Sequence, residues 1–231
     1  MAGNTPVSDE DFAAARELMI HDQLLRRGIH DERVLAAMGR VPRERFVTPE
    51  QAAEAYGDYP LPIGFGQTIS QPFVVARIAE LLELMGDERV LDIGAGSGYQ
   101  AAVLAELCPH GQIYAIERIP ELCALAEQRL RGLGDRVELR CQDGSRGWPA
   151  HAPYDAIAVA AGAPTVPAPL IAQLAEGGRL VIPIGEADAQ RLVRVRKRGG
   201  EVVVSEDFPV RFVPLIGEHG FPKGEGSAPA G

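Results

Sequence analysis

Several things are scarce in this chain, and each scarcity closes a route. Basic charge is in deficit: 23 Lys and Arg stand against 32 Asp and Glu, a net charge of −9. Such a chain has no general field for nucleic-acid phosphates or anionic lipid. The three cysteines, Cys108, Cys123 and Cys141, form no CxxC pair and are odd in number. That argues against a disulfide framework or a zinc cluster. The five histidines (His21, His30, His110, His151, His219) have no metal-ligand spacing, so no metal is expected. No apolar run approaches the ~18 residues of a membrane span. The first residues show neither a basic nor an apolar signal region. The expectation is a cytoplasmic monomer without membrane or nucleic-acid partners.

What remains is ordinary globular material: 231 residues, 46% hydrophobic and 24% charged. That length suits one compact domain with elaborations. Residues 9–27 carry apolar positions at helical spacing, with Ser8 and Asp11 as capping candidates and Gly28 as a stop. A short helix from Asp31 to about Met38 follows. Residues 40–67, dense in Pro and Gly, read as a long loop, which in a compact domain is more often functional than idle. Pro72 opens a helix that runs to about Met85.

From residue 89 the texture changes to strands alternating with helices. Strands are expected at 89–93, 112–117, 137–141, 154–160 and 179–184, with helices at 99–107, 120–133 and 168–175. Such alternation predicts an α/β fold with a mostly parallel sheet. Residues 190–197 and 201–205, joined by Gly199-Gly200, read as a C-terminal antiparallel hairpin with no room for a crossover helix. Its basic residues (Arg191, Arg194, Arg196, Lys197, Arg198) alternate with Leu192, Val193 and Val195 and read as a solvated face. The divisions expected are an N-terminal helical extension (1–88), a Rossmann-like core (89–217) and a loose tail (218–231).

Val90-Leu91-Asp92-Ile93-Gly94-Ala95-Gly96-Ser97-Gly98-Tyr99 carries the sharpest site signal. A buried strand runs into a glycine-rich turn that opens a helix, so a ligand can approach the backbone closely. Glu117 ends the next strand, where a carboxylate can accept hydrogen bonds from ribose hydroxyls. A dinucleotide fits poorly, because Tyr99 stands where its fingerprint needs the last glycine. Asp92 would also repel a pyrophosphate. It suits a cationic ligand such as S-adenosylmethionine. Asp143-Gly144, after the third strand, falls where an adenine would lie.

Residues 61–73 place Thr68, Ser70 and Gln71 between a pliable Gly64/Gly66 loop and the Pro72 helix start. Ser70 reads either as a plain helix N-cap or as a hydroxyl beside a carboxylate cradle at the helix N-terminus.

Gly66-Gln67-Thr68-Ile69-Ser70-Gln71-Pro72, followed by the Gly94 loop, strongly resembles the protein-L-isoaspartate O-methyltransferase family. The resemblance runs from about residue 16 to 217. It includes Arg27-Gly28-Ile29, Val41-Pro42-Arg43-Glu44, Pro60-Leu61-Pro62-Ile63-Gly64, Glu176-Gly177-Gly178 and Arg211-Phe212-Val213-Pro214-Leu215. It implies a Rossmann-like S-adenosylmethionine-dependent methyltransferase fold. The implied activity is methyl transfer from S-adenosyl-L-methionine to the free α-carboxylate of L-isoaspartyl, and also D-aspartyl, residues. S-adenosyl-L-homocysteine is the product, and isoaspartyl proteins and peptides are the partners. Ser70 would then be the active-site hydroxyl, with Thr68, Ile69, Gln71 and Val213 on the substrate. Gly94, Ala95, Gly96, Ser97 and Gly98 would hold the methionine portion, Glu117 the ribose, and Asp143 and Gly144 the adenine, with Asp92 and Arg118 also on the cofactor. One departure stands out: Ala160 occupies a position where the family usually has Thr or Ser.

Overall fold

The computed structural model describes residues 8–186 and 188–223. The chain enters through helix α1 (Asp9–Leu18), whose first turn is closed by a capping box. Ser8 Oγ accepts from the Asp11 N–H at 3.1 Å, and the Asp11 carboxylate accepts from the Ser8 N–H at 3.0 Å. The expected single helix to residue 27 is instead three pieces. After Leu18 the turns widen, so that the Leu25 N–H reaches Ile20 O, and then tighten before Gly28. Gly28 ends the run at φ +92°. Helix α2 (Glu32–Arg40), capped by Asp31, buries Val34, Ala37 and Met38.

Residues 40–67 are not structureless. Two short helical turns are followed by an antiparallel hairpin of β1 (Leu61–Gly64) and β2 (Gln67–Ile69). Only Leu61 and Ile63 alternate inward across the four residues of β1, too short a pattern to read as a strand. Helix α3 (Pro72–Leu82) stops earlier than expected, at a left-handed Glu83.

The sheet follows from β3 (Arg89–Ile93), α4 (Tyr99–Leu107), β4 (Gln112–Glu117), α5 (Pro120–Leu130), β5 (Val137–Cys141), β6 (Tyr154–Val159), α6 (Ala168–Ala172), β7 (Leu174–Glu186), β8 (Ala189–Arg198) and β9 (Glu201–Val210). Its order is β5-β4-β3-β6-β7-β8-β9, parallel through β7 and antiparallel beyond. Helices α5 and α6 are shorter than expected, while β7 starts earlier, where Leu174 pairs with Tyr154 of β6, and β9 is longer through its pairing with β8.

Both faces of the sheet's central strands are covered. Along β3, Val90 packs into one core cluster, whereas Leu91 and Ile93 pack into the other. Ala156 and Ala158 of β6 likewise oppose Ile157 and Val159, the two-residue alternation of a pleated strand. Met19, Leu24, Val34 and Met38 share the first cluster with Val90, so the N-terminal helices close one face of the sheet. Strand order reverses between β3 and β6, and the ends of these two strands open the crevice where α/β sheets bind ligands.

The start of the expected loose tail is tied down. The Phe221 N–H donates to Leu215 O at 2.7 Å, and the Glu218 N–H donates to Asp143 Oδ2 at 2.9 Å. Its remainder, 224–231, lies outside the described residues.

Candidate active site

The crevice at the β3 and β6 ends contains a cleft. Its walls include Gly94, Gly96, Glu117, Arg118, Gly144, Thr68 and Val213, over a floor of Ile93 and Ile116. A second cavity adjoins it through Thr68, Gly94, Gly96 and Ala160, and adds Ile69, Ser70, Ala95, Ser97, Tyr99 and Gln100.

The loop after β3 turns because Gly94, Gly96 and Gly98 have φ of +85°, +52° and +89°, where side chains are strained. Its shape is pinned from the next strand. The Glu117 carboxylate accepts the Gly96 N–H at 2.9 Å through one oxygen. Through the other it accepts the N–H groups of Arg118 at 2.7 Å and Ile119 at 2.8 Å. A carboxylate can accept about four hydrogen bonds, so Glu117 keeps capacity for a ligand hydroxyl at the cleft edge.

Four expected site residues do not reach the cleft. Asp92 lies behind the loop, fully buried, with Oδ1 accepting from Gln100 Nε2 at 2.6 Å. Burial pushes its carboxyl up to about 7, with the Glu117 charge adding to the shift and the Gln100 bond opposing it. Its Oδ2 has no hydrogen-bond partner. Gly98 caps α4, where an added Cβ would sit 3.2 Å from the Leu130 side chain. Gln71 turns away to Asp58, bonding Oδ1 at 2.6 Å. Asp143 accepts from Ser145 and from the Glu218 N–H, so it latches the returning chain while Gly144 lines the cleft.

Ser70 is not the cap of α3. That position belongs to Gln71, which makes no side-chain cap bond. The Ser70 carbonyl accepts from the buried Arg43 at 2.8 Å, and the residue lines the cavity beside Ala95 and Gly96. Sequence reasoning passed over Gln100 and Arg43. Gln100 was legible as a polar residue in the second position of a helix opened by the glycine turn. The signal for Arg43 was slight, a cation in a loop.

A Rossmann-like parallel sheet carries a glycine turn gripped by the carboxylate that ends the next strand. A hydroxyl-bearing segment faces this turn across the cleft. These features define an S-adenosylmethionine-dependent methyltransferase. The sequence model of the protein-L-isoaspartate(D-aspartate) O-methyltransferase family matches residues 14–220, and the chain belongs to that family. A Marinobacter nauticus protein-L-isoaspartate O-methyltransferase 2 is 55% identical over 216 residues, covering 92% of this chain and 98% of its own. A solved protein-L-isoaspartate O-methyltransferase superimposes with a TM-score of 0.80 at 31% identity, over 89% of this chain and 67% of its own. A Plasmodium falciparum chain assigned to the same activity was solved with S-adenosyl-L-homocysteine. It gives 0.76 at 27% identity, over 87% of this chain and 98% of its own.

The residues present fit that cofactor. The cleft combines a glycine backbone wall, an acceptor at the end of β4 and an apolar floor. The Glu117 carboxylate gives this end a negative potential suited to a sulfonium and an ammonium. Among the described residues no group of three or more His, Cys, Asp or Glu could hold a metal. No helix there is long and apolar enough to cross a membrane.

Proposed function

We propose that this chain methylates the free α-carboxylate of L-isoaspartyl residues, and of D-aspartyl residues, in damaged proteins and peptides. The observation that carries the reading is the junction of two cavities. Ser70 and Thr68 face Gly94, Ala95 and Gly96 across a shared wall, so acceptor and donor sites adjoin.

S-adenosylmethionine supplies an electrophilic methyl group when bound. Gly94, Ala95, Gly96 and Ser97 would hold its methionine portion by backbone contact, with Asp92 acting from behind through Gln100. Glu117, with Arg118 beside it, would take the ribose hydroxyls. Gly144 would line the adenine slot, while Asp143 holds that slot's outer wall in place. An α-carboxylate has a pKa near ~3.5 and arrives ionised, so no general base is needed. The chain's task is orientation, which can contribute several kcal/mol. Ser70 would donate its hydroxyl to the carboxylate, with Thr68, Ile69 and the Val213 backbone bounding the substrate chain. A neutral donor holds a nucleophilic carboxylate without over-stabilising its ground state.

Nucleic acid is not among the partners in this reading. On the hairpin's basic face Arg194 and Arg196 share Glu83 and Arg191 pairs with Glu206, so part of its charge is met within the chain. We further propose a cytoplasmic enzyme in which 1–88 and 89–217 act as one compact unit, as their shared core supports.

The test is methyl transfer to paired peptides that differ only in Asp against isoAsp. A normal Asp places a peptide group where the site expects a carboxylate, leaving buried polar groups unpaired. That can cost ~10⁴-fold in kcat/KM. Comparable rates on both peptides would defeat the reading.

A further inference from the structure

Arg43 is a cation in the protein interior with no counter-charge. Its side chain is 0% exposed. Nε donates to Ala55 O at 2.7 Å, Nη2 donates to Ser70 O at 2.8 Å, and the guanidinium lies 4.9 Å from the Tyr99 ring centre. Nη1 has no hydrogen-bond partner. Among the described residues no carboxylate pairs with it. Glu44, next in sequence, is occupied by Arg16 and by the Tyr56 hydroxyl at 2.5 Å. Burial accordingly pulls the Arg43 pKa below the usual arginine value. A buried ion is costly unless something compensates it, and arginine does not escape by losing its proton.

The location of this charge gives it a use. Ser70 and Tyr99, the two cavity-lining residues it touches, separate it from the acceptor end of the site. The far end holds the Glu117 carboxylate. The cleft is therefore polarised, negative where a cationic methyl donor would sit and positive where an anionic acceptor would sit. We infer that Arg43 is a positioning residue for the acceptor carboxylate. Its unpaired charge draws the anion to the Ser70 end, and its bond to the Ser70 carbonyl fixes the backbone that presents the hydroxyl. The inference rests on the isoaspartyl reading above.

Three full-length proteins test it: wild type, Arg43→Gln and Arg43→Lys. Glutamine keeps amide donors for the two carbonyls but removes the charge, whereas lysine keeps the charge without the fork. Each is titrated with S-adenosylhomocysteine by calorimetry. Each is also assayed for inhibition by an isoaspartyl peptide and by the same peptide with a neutral α-carboxamide.

In Arg43→Gln the preference for carboxylate over carboxamide should fall about tenfold, the scale of a unit charge acting across several ångströms at an effective dielectric near ~20. S-adenosylhomocysteine affinity should stay within about twofold. Arg43→Lys should retain the preference even where turnover falls. Equal loss on both peptides, or a parallel loss of S-adenosylhomocysteine binding, would show a structural role only and overturn the inference. So would a lysine variant without the preference, which decides the matter if the glutamine variant does not fold. Failure of the substrate reading is distinguishable, because there the wild type itself would not separate Asp from isoAsp peptides.

Discussion

The two sides of the cleft are built by opposite means. The donor side is made of strand ends: the turn after β3, the Glu117 terminus of β4 and Gly144 beyond β5. Parallel pairing fixes these positions relative to one another, and Glu117 locks the turn with three backbone bonds. The acceptor side is made of β2, the start of α3 and the returning segment 213–216, held by contacts distant in sequence. Arg43 bonds Ser70 across 27 residues, and Asp143 holds the Glu218 N–H across 75. A regular wall needs only its own strands, whereas an irregular one depends on side chains reaching in from elsewhere.

The comparison breaks most visibly at Ser70. Because Gln71 occupies the cap position, Ser70→Ala should leave thermal stability within about 0.5 kcal/mol of wild type. Methyl transfer to an isoaspartyl peptide should fall about 10- to 100-fold, the scale of a lost hydrogen bond to a charged group. Parallel losses of rate and folded protein would make the acceptor wall a passive one.

On the donor side, Glu117→Ala should weaken S-adenosylhomocysteine binding by about 2 kcal/mol, roughly thirtyfold. Glu117→Gln should lose less, since its amide oxygen still accepts from the loop. Calorimetry that finds both variants at wild-type affinity would remove Glu117 from the ribose.

A third test concerns stability and sharpens the electrostatic half of the contrast. Asp92 titrates near 7 when folded, against 3.8 ordinarily, so between those values the folded protein holds a proton that the unfolded chain has released. Its contribution is fully present below about pH 4 and is lost as pH rises toward 7. The loss integrates to a few kcal/mol, at ~1.4 kcal/mol per pH unit. Asp92→Asn should therefore flatten the wild-type decline in stability over this window. Denaturant melts with parallel pH dependence in the two proteins would refute the assignment.

The same division governs how far the chain could be read in advance. The β3 turn was legible because a glycine run after an apolar strand and before a helix has few other uses, and Glu117 follows at the end of the next strand. The hairpin at 61–69 was not. Its four-residue β1 shows too little alternation, and its Pro and Gly residues mimic a loop. Asp143 was read as a ligand contact because Asp-Gly after a strand suits one. Only the fold shows its carboxylate taken by Ser145 and the Glu218 backbone.

Sequence alone determined the alternation of strands and helices, the glycine turn with its carboxylate, and the family, since each is written in residues near one another in the chain. Tertiary structure decided which of the named residues share a cavity. It turned Gln71 toward Asp58, set Asp92 behind the loop and buried Arg43 against Ser70 and Tyr99. The reason is physical. Local patterns follow from short-range backbone geometry. The orientation and ionisation of a side chain depend on the neighbours that exclude water from it, and here those neighbours are distant in sequence.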